Sequence, residues 1–399
     1  MRRLTVKALF AATLLAAAVP AAPASADTAT SGYIVLLKDG VGVSSVTNLL
    51  GVTVDNVYES AVRGYSGRMT AATAARLARD PRVALVQPDG VASIAAQTLP
   101  TGIDRIDAEQ SPTARINGTD ERVNVDVAVI DTGVDLDHPD LNVNTAGAKN
   151  CSTGRSADDG NGHGTHVAGT IGALDNGSGV VGVAPGARIW PVRVLNNAGS
   201  GSFSAIICGI DYVTAHASEI EVANMSLGGS GSDSACGSNR DAMHEAICRS
   251  VAAGVTYVVA AGNSSANSST FVPATYEEVI TVSALADFNG QPGGGAASTC
   301  RADVDDTFAD FSNYGADVDL IAPGVCILSS WKGGGYKSIS GTSMASPHVA
   351  GAAALYKSTH PSASPAAVKT ALRSAGNSNW NTATDPDSTH EPLLNVATF

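Results

Sequence analysis

The sequence predicts an α/β protein in which a parallel β-sheet carries helices on both faces, preceded by a small α+β domain. Two observations support this prediction. From about residue 97 onward, short apolar runs alternate with helical stretches, whereas residues 27–96 have a mixed character of their own. Apolar strands that alternate with helices form parallel sheets that are buried on both faces.

The small first domain is expected over residues 27–96. Its predicted elements are a strand at 33–37, a helix at 70–78 with Thr70 as the N-cap, and a strand at 83–86. A unit of this size has only a marginal hydrophobic core when it folds alone.

The larger domain is expected over residues 97–399. Its predicted strands cover 125–130, 189–194, 256–261, 279–282 and 318–322, and its predicted helices cover 163–173, 203–217, 241–253 and 343–358. In open sheets of this kind the functional site lies at the carboxyl ends of the strands. Polar residues that follow a strand or begin a helix are therefore the candidates.

The composition excludes several classes of protein. Hydrophobic residues make up 44% of the 399 residues and charged residues 15%, so a sizeable core is expected and global disorder is not. The formal net charge is −13, whereas a nucleic-acid-binding protein needs a basic surface. Beyond the N-terminus no stretch is apolar enough to span a bilayer, so we expect no nucleic-acid or membrane partner.

The N-terminus has the pattern of a secretory signal peptide. Arg2 and Arg3 precede an apolar run over residues 8–19, and Ala24-Ser25-Ala26 has the small-residue pattern of a signal-peptidase site. We therefore assign residues 1–26 as a signal peptide and expect a secreted, extracellular protein.

Cysteine usage agrees with export. All six cysteines follow the signal peptide: Cys151, Cys208, Cys236, Cys248, Cys300 and Cys326. An even number in an exported chain favours disulfides, and sequence proximity favours the pairs Cys236–Cys248 and Cys300–Cys326. A zinc site is the alternative, which the lack of a Cys-x-x-Cys spacing disfavours.

Asp131 stands in Asp131-Thr132-Gly133, directly after the strand predicted at 125–130. The carboxylate is either a catalytic group or a turn residue. Aspartic proteases also use Asp-Thr-Gly, but they need two such aspartates. Since the motif occurs once, this alternative requires a homodimer.

Three further motifs carry reactive groups. His163 lies in Gly162-His163-Gly164-Thr165-His166, without the glutamate of the zinc motif His-Glu-x-x-His. Ser343 opens a predicted helix, where free N–H groups favour negative charge, although a serine there is often only an N-cap. Asn263 follows a strand and is either a turn residue or a donor to an oxyanion.

Together these segments resemble the subtilisin-like serine proteases (subtilases), and they are most similar to the proteinase K branch. The resembling segments are residues 129–133, 161–169, 224–229, 260–263 and 341–351. The resemblance implies a subtilisin-like sheet, a small inhibitor propeptide domain before it, and a secreted serine endopeptidase.

The resemblance also implies a role for each reactive residue. Ser343 would be the nucleophile and His163 the general base. Asp131 would orient the imidazole, and Asn263 would stabilise the oxyanion together with the Ser343 N–H.

The substrate cleft follows from the same resemblance. Two segments, Gly199-Ser200-Gly201 and Ser226-Leu227-Gly228, would flank an extended peptide and pair with its backbone. Their glycines imply a broad preference for apolar or aromatic residues. Without the other motifs they would be ordinary glycine-rich loops.

Three further expectations depend on the resemblance. Residues 27–96 would be a propeptide that inhibits the enzyme and is removed by self-cleavage within residues 94–98. The partners would be peptide substrates and this propeptide, with the enzyme a monomer. A structural Ca²⁺ would lie near Pro273, Thr275 and Asp287, since the family binds it through loop carbonyls and one carboxylate. The alternative to an enzyme is a secreted, non-catalytic binding protein on the same fold.

Overall fold

A computed structural model describes residues 30–47, 52–90, 96–238 and 240–399. The chain divides into two compact units, with the boundary between Ile94 and Ala95. The predicted signal peptide, residues 1–26, lies outside the described residues.

The first unit is a four-stranded antiparallel sheet with two short helices. Its elements are β1 (Thr30–Leu37), α1 (Ser44–Thr47), β2 (Thr53–Tyr58), β3 (Gly64–Thr70), α2 (Ala71–Leu77) and β4 (Val83–Pro88). The strand order is β2-β3-β1-β4. Thr70 caps α2, as predicted, because its hydroxyl accepts from the N–H of Thr73 at 3.2 Å. The sequence analysis did not predict β2 and β3, since polar residues and glycines interrupt their apolar pattern.

The second unit contains the other helices and strands. Its helices are α3 (Thr101–Arg105), α4 (His163–Gly172), α5 (Phe203–Ala215), α6 (Ala242–Ala252), α7 (Thr342–Thr359) and α8 (Pro365–Ala375). Its strands are β5 (Asp126–Asp131), β6 (Lys149–Asn150), β7 (Arg188–Arg193), β8 (Val222–Met225), β9 (Gly229–Ser230), β10 (Thr256–Ala260), β11 (Phe271–Val272), β12 (Ile280–Ala286), β13 (Thr307–Phe308), β14 (Leu320–Pro323), β15 (Ile327–Trp331) and β16 (Gly335–Ile339).

An eight-stranded sheet forms the centre of the second unit. Its order is β13-β12-β10-β8-β5-β7-β6, with β14 also pairing with β12. All these pairs are parallel except the edge pair β12–β13. Each predicted strand and helix of this unit is present within a few residues, and the predicted fold class is confirmed. The sequence analysis did not predict β8, whose four residues are interrupted by Asn224.

Helices cover both faces of this sheet. Val127 and Val129 of β5 join one hydrophobic cluster, and Ala128 and Ile130 join another, because successive side chains of a strand point to opposite faces. The first cluster contains residues of α4, α7 and α8, and the second contains residues of α5 and α6. This arrangement places the carboxyl end of β5 and the start of α4 at the same edge of the sheet.

Three disulfides link loops and helices of the second unit: Cys151–Cys208, Cys236–Cys248 and Cys300–Cys326. The two pairs predicted from sequence proximity are confirmed. Among the helices of the described residues, none combines the length and the hydropathy needed to cross a bilayer.

Candidate active site

An aspartate and a histidine meet at the carboxyl edge of the central sheet. Asp131 is the last residue of β5, and His163 is the first residue of α4. The Nδ1 atom of His163 lies 2.8 Å from Oδ1 of Asp131. The Asp131 side chain is fully buried, whereas the His163 side chain is 26% exposed. The carboxylate thus stands behind an imidazole that faces solvent.

Thr132 and Asp159 connect the end of β5 to the start of α4. The Thr132 hydroxyl donates to Asp159 at 2.9 Å and accepts from the N–H of Gly164 at 2.9 Å. A Cβ on Gly164 would lie 2.0 Å from the carbonyl oxygen of Gly133, so this close approach requires glycine. The sequence analysis did not predict these positioning contacts, although Thr132 lies within the Asp-Thr-Gly motif.

The environment of His163 maintains its basicity. Burial alone would lower the pKa of His163, but the Asp131 carboxylate, with a contribution from Asp159, outweighs burial and raises it above its ordinary value. Two neighbouring histidines show the opposite effect. Burial lowers the pKa of His166 to about 3 and that of His348 to about 4. Only His163 of these three is therefore suited to proton transfer near neutral pH.

Ser343 is the second residue of α7 and shares a cleft with His163. Its hydroxyl donates to the backbone carbonyl of Ser226 at 3.1 Å. Its N–H belongs to the first turn of the helix, where no earlier helical carbonyl is available as an acceptor. Both predicted substrate segments, Gly199–Gly201 and Ser226–Gly228, line the same cleft of about 500 Å³. The structure thus brings these predicted residues together.

Asn263 follows β10 and contacts the residue that precedes Ser343. Its Oδ1 accepts from the N–H of Thr342 at 2.8 Å and from the Thr342 hydroxyl at 3.0 Å. Because the amide oxygen is used in this way, the amide NH₂ group is directed elsewhere. The preceding Gly262 has a φ of +106°, which explains why a glycine stands at this turn.

The residues predicted to hold calcium contact different partners. The Thr275 hydroxyl donates to Asp317 at 2.9 Å, whereas the Asp287 carboxylate lies 3.1 Å from Arg105. Burial raises the pKa of Asp287 to about 7 despite this guanidinium, which Asp287 shares with Asp306. The one carboxylate among the predicted calcium ligands is thus already paired with a cationic side chain.

The Lys369 ammonium binds two backbone carbonyls a few residues after Pro273 and Thr275. The Lys369 ammonium donates to the carbonyls of Glu277 at 3.2 Å and Val279 at 2.8 Å, and it lies 2.8 Å from the Asp319 carboxylate. A cation supplied by the chain therefore lies directly after the segment predicted to bind calcium.

Two side-chain amides and two backbone carbonyls lie close to one another around the carboxylate of Asp140, which is 1% exposed. Its carboxylate accepts from the N–H of Val180 at 3.0 Å and from the Asn176 amide at 3.1 Å. The Gln97 amide contacts the carbonyls of Leu174 at 2.6 Å and Val180 at 3.1 Å. Burial raises the pKa of Asp140. Carboxylate, amide and carbonyl oxygens are the ligands that calcium prefers. The sequence analysis did not predict this group.

One group of residues could in principle provide the ligands of the alternative zinc site. Cys236, His244, Cys248 and Glu278 bring potential ligand atoms within 4.8 Å of one another. The two sulfur atoms, however, are bonded to each other, and a metal requires free thiolates. In this state the group is a disulfide beside a histidine–glutamate pair rather than a zinc site.

Comparison with known proteins decides the family. The model of the subtilase family matches residues 123–390, and the model of the peptidase inhibitor I9 family matches residues 44–95. The chain belongs to the subtilase family. This result confirms the family predicted from the motifs and excludes the dimeric aspartic protease. The placement nearest to the proteinase K branch stays a prediction.

Individual relatives agree with this assignment. Subtilisin NAT of Bacillus subtilis subsp. natto is 40% identical over 301 residues, which cover 75% of this subtilase and 71% of that protein. An extracellular serine proteinase of Thermus sp. (strain Rt41A) is 42% identical over 330 residues, 81% of this chain and 73% of that protein.

Solved structures show the same relationship. The crystal structure of a cold-adapted subtilisin-like serine proteinase has a TM-score of 0.56 and 35% sequence identity, covering 75% of this chain and 97% of that chain. The subtilase is therefore a serine endopeptidase with a subtilisin-like α/β fold and an N-terminal region of the inhibitor I9 type.

Proposed function

We propose that this subtilase hydrolyses peptide bonds through an acyl-enzyme formed on Ser343, with His163 as general base and Asp131 as its partner. The observation that carries the proposal is the 2.8 Å contact between His163 and Asp131 beside the cleft that holds Ser343. The raised pKa of His163 supports the same role, because a stronger base accepts the serine proton more readily.

The reaction begins when the Ser343 hydroxyl turns from the Ser226 carbonyl towards His163. His163 accepts the hydroxyl proton as Ser343 Oγ forms a bond to the peptide carbonyl carbon, and the buried Asp131 carboxylate stabilises the resulting imidazolium. His163 then gives this proton to the leaving amine as the C–N bond breaks. Water then attacks the acyl carbon while His163 accepts its proton. The ester bond to Ser343 Oγ breaks as His163 returns the proton to Oγ, which releases the acid product and restores the Ser343 hydroxyl.

Negative charge on the carbonyl oxygen requires donors in the cleft. The Asn263 amide is held by Thr342 through its oxygen, which leaves its NH₂ group as a donor. The Ser343 N–H at the start of α7 is the second donor. Donors that are fixed before the reaction stabilise the transition state at no cost of reorganisation.

Substrate recognition uses the two segments that line the cleft. An extended peptide would pair with Gly199–Gly201 and Ser226–Gly228 through backbone hydrogen bonds, which do not depend on sequence. Leu227 and Phe203 also line this cleft and give it an apolar character. We therefore propose a broad preference for apolar or aromatic residues.

The proposed precursor has three parts, and processing would release the last of them as the active enzyme. We propose a signal peptide over residues 1–26, an inhibitor propeptide over 27–96 and a peptidase domain over 97–399 that acts outside the cell as a monomer. The proposed self-cleavage within 94–98 is supported by the boundary of the two compact units, although residues 91–95 lie outside the described part of the chain. The inhibitor match, which ends at residue 95, supports the same division.

We further propose that a structural Ca²⁺ is held by the oxygen atoms around Asp140, instead of by Pro273, Thr275 and Asp287. The ion would neutralise a buried carboxylate and link three separate segments of the chain. Chelation is expected to lower the melting temperature of the wild type and of an Asp287→Asn control. The Asp140→Asn variant should melt lower and respond little to chelation, whereas equal melting curves with and without chelator in the wild type would contradict the proposal.

Mass spectrometry of the secreted product tests the proposed function. The wild type should lose residues up to the 94–98 region, whereas Ser343→Ala should be secreted with the propeptide still attached. Cleavage of Ser343→Ala at the same bond, in a host that lacks other proteases, would contradict self-processing. Casein hydrolysis by that variant would contradict the role of Ser343.

A further inference from the structure

A proline in α7 leaves the nucleophile's backbone without a helical hydrogen bond. Pro347 lies inside α7, in its second turn. In an α-helix the N–H of a residue donates to the carbonyl four positions earlier, which here is Ser343. Proline has no N–H, so this bond cannot form and the Ser343 carbonyl needs another donor.

Ser226 supplies that donor from the end of β8. Its hydroxyl donates to the Ser343 carbonyl at 2.8 Å, while the Ser343 hydroxyl donates to the Ser226 carbonyl at 3.1 Å. The two serines are thus joined by reciprocal bonds, each from the side chain of one to the backbone of the other. The first bond can persist during the reaction, whereas the second must break when Ser343 turns towards His163.

Two buried side chains orient the Ser226 hydroxyl. The Asn224 amide donates to it at 2.9 Å, and the Ser346 hydroxyl donates to the Asn224 oxygen at 2.6 Å. Asn224 and Ser346 are fully buried, and Ser226 is 4% exposed. Because the Ser226 oxygen accepts from Asn224, its own proton is free for the Ser343 carbonyl. The hydrogen bonds therefore form a chain in which each group donates to the next, from Ser346 to Asn224, then to Ser226 and finally to the Ser343 carbonyl.

We propose that the Ser226 side chain is a positioning group for the nucleophile, replacing the helical donor that Pro347 lacks. It holds the Ser343 backbone so that the hydroxyl reaches His163 and the N–H faces the oxyanion. This role is separate from the Ser226 backbone, which we assign to substrate pairing. The inference rests on the proposed function of Ser343.

Removing the hydroxyl should affect turnover more than binding. Ser226→Ala keeps the backbone that pairs with substrate, but it leaves the Ser343 carbonyl without a donor. We expect kcat to fall by about 10- to 100-fold, since small displacements of a reacting group have effects up to about 100-fold. KM should stay within about threefold, as measured on a peptide ester after active-site titration.

A double-mutant cycle with Pro347→Ala separates positioning from general packing. Alanine restores an N–H at residue 347, which can donate to the Ser343 carbonyl as in an ordinary helix. We therefore expect the Ser226→Ala substitution to reduce kcat by less than about threefold in the Pro347→Ala background. A purely structural role for Ser226 predicts the same loss in both backgrounds, and that result would overturn the proposal.

Ser283→Ala is a matched control, because Ser283 is a buried serine in β12 whose hydroxyl contacts the Leu320 carbonyl at 3.5 Å. It should leave kcat unchanged. Wild-type kcat in Ser226→Ala, with Ser343→Ala inactive, would overturn the positioning role alone. Activity in Ser343→Ala would overturn the proposed function instead.

Discussion

Two imidazole–carboxylate pairs in this molecule have almost the same geometry and opposite surroundings. His163 lies 2.8 Å from Asp131, and His244 lies 2.7 Å from Glu278. In the first pair the carboxylate is fully buried and the imidazole is 26% exposed. In the second the imidazole is 2% exposed and the carboxylate 27%. The distance alone therefore does not identify a catalytic pair.

The two pairs differ in what the second ring nitrogen of each histidine faces. His163 uses Nδ1 for Asp131, which leaves Nε2 for the cleft that contains Ser343. His244 uses Nε2 for Glu278, its Nδ1 lies 3.4 Å from Asp233, and its ring stacks on Tyr276 at 4.0 Å. A histidine can act as a base for substrate only when one ring nitrogen faces the reacting group, while a partner such as a carboxylate on the other nitrogen fixes the tautomer.

The largest effect is expected when the catalytic imidazole is removed. His163→Gln should reduce kcat by about 10⁶-fold, a magnitude carried over from subtilisin. Without a base, the Ser343 hydroxyl has no acceptor for its proton in the reaction. Single-turnover kinetics with an activated ester would show the loss, and turnover within about tenfold of the wild type would contradict the role of His163.

Changing only the buried carboxylate sharpens the comparison. Asp131→Asn should reduce kcat by about 10⁴-fold, as known for serine proteases, because an amide does not stabilise the imidazolium. The pKa of His163, which Asp131 raises, should fall. Since His163 must be neutral to accept a proton, the acid limb of the pH–rate profile should move to lower pH. Glu278→Gln is the control, and a matching shift there would contradict the assignment.

The oxyanion donor is expected to have a smaller effect. Asn263→Ala should reduce kcat by about 10²- to 10³-fold with little change in KM, a range that comes from subtilisin itself. The reason is that the amide meets the negative charge only in the transition state. Steady-state kinetics on a peptide amide would measure this, and a change confined to KM would contradict it.

The smallest effect on activity is expected at the second pair. His244→Gln should leave kcat/KM within about twofold of the wild type, because no ring nitrogen of His244 faces the cleft. The free energy of unfolding should fall by about 1–3 kcal/mol, since Glu278 loses a buried partner. Kinetics and denaturant unfolding test the two parts, and a large loss of kcat in a folded variant would contradict the comparison.

Local motifs made much of this molecule predictable from sequence. Apolar runs predicted most of the parallel strands, and motifs with a glycine within two residues of the reactive group made Asp131, His163 and Ser343 the candidate catalytic residues. Such features depend on a few neighbouring residues. For the same reason, β8 was missed: its four residues carry no periodic pattern of their own.

Contacts between distant segments were not predictable in this way. The Lys369 ammonium donates a hydrogen bond to the carbonyl of Val279, which lies 90 residues earlier in the chain. No sequence pattern near Pro273 or Asp287 indicates this contact. The oxygen atoms around Asp140 come from three segments, and the Ser226–Ser343 network joins residues 117 positions apart. The calcium site predicted at Pro273, Thr275 and Asp287 depended on local alignment alone, and the site that we propose around Asp140 depends on contacts that local alignment does not show.

Covalent labelling by a sulfonyl fluoride tests the central claim most directly. The reagent reacts with a serine hydroxyl that a neighbouring imidazole has activated. Peptide mapping of the mature enzyme should show one adduct, on Ser343, formed in step with the loss of activity and absent from His163→Gln. Full activity after labelling, or inactivation by an adduct on another residue, would contradict the account.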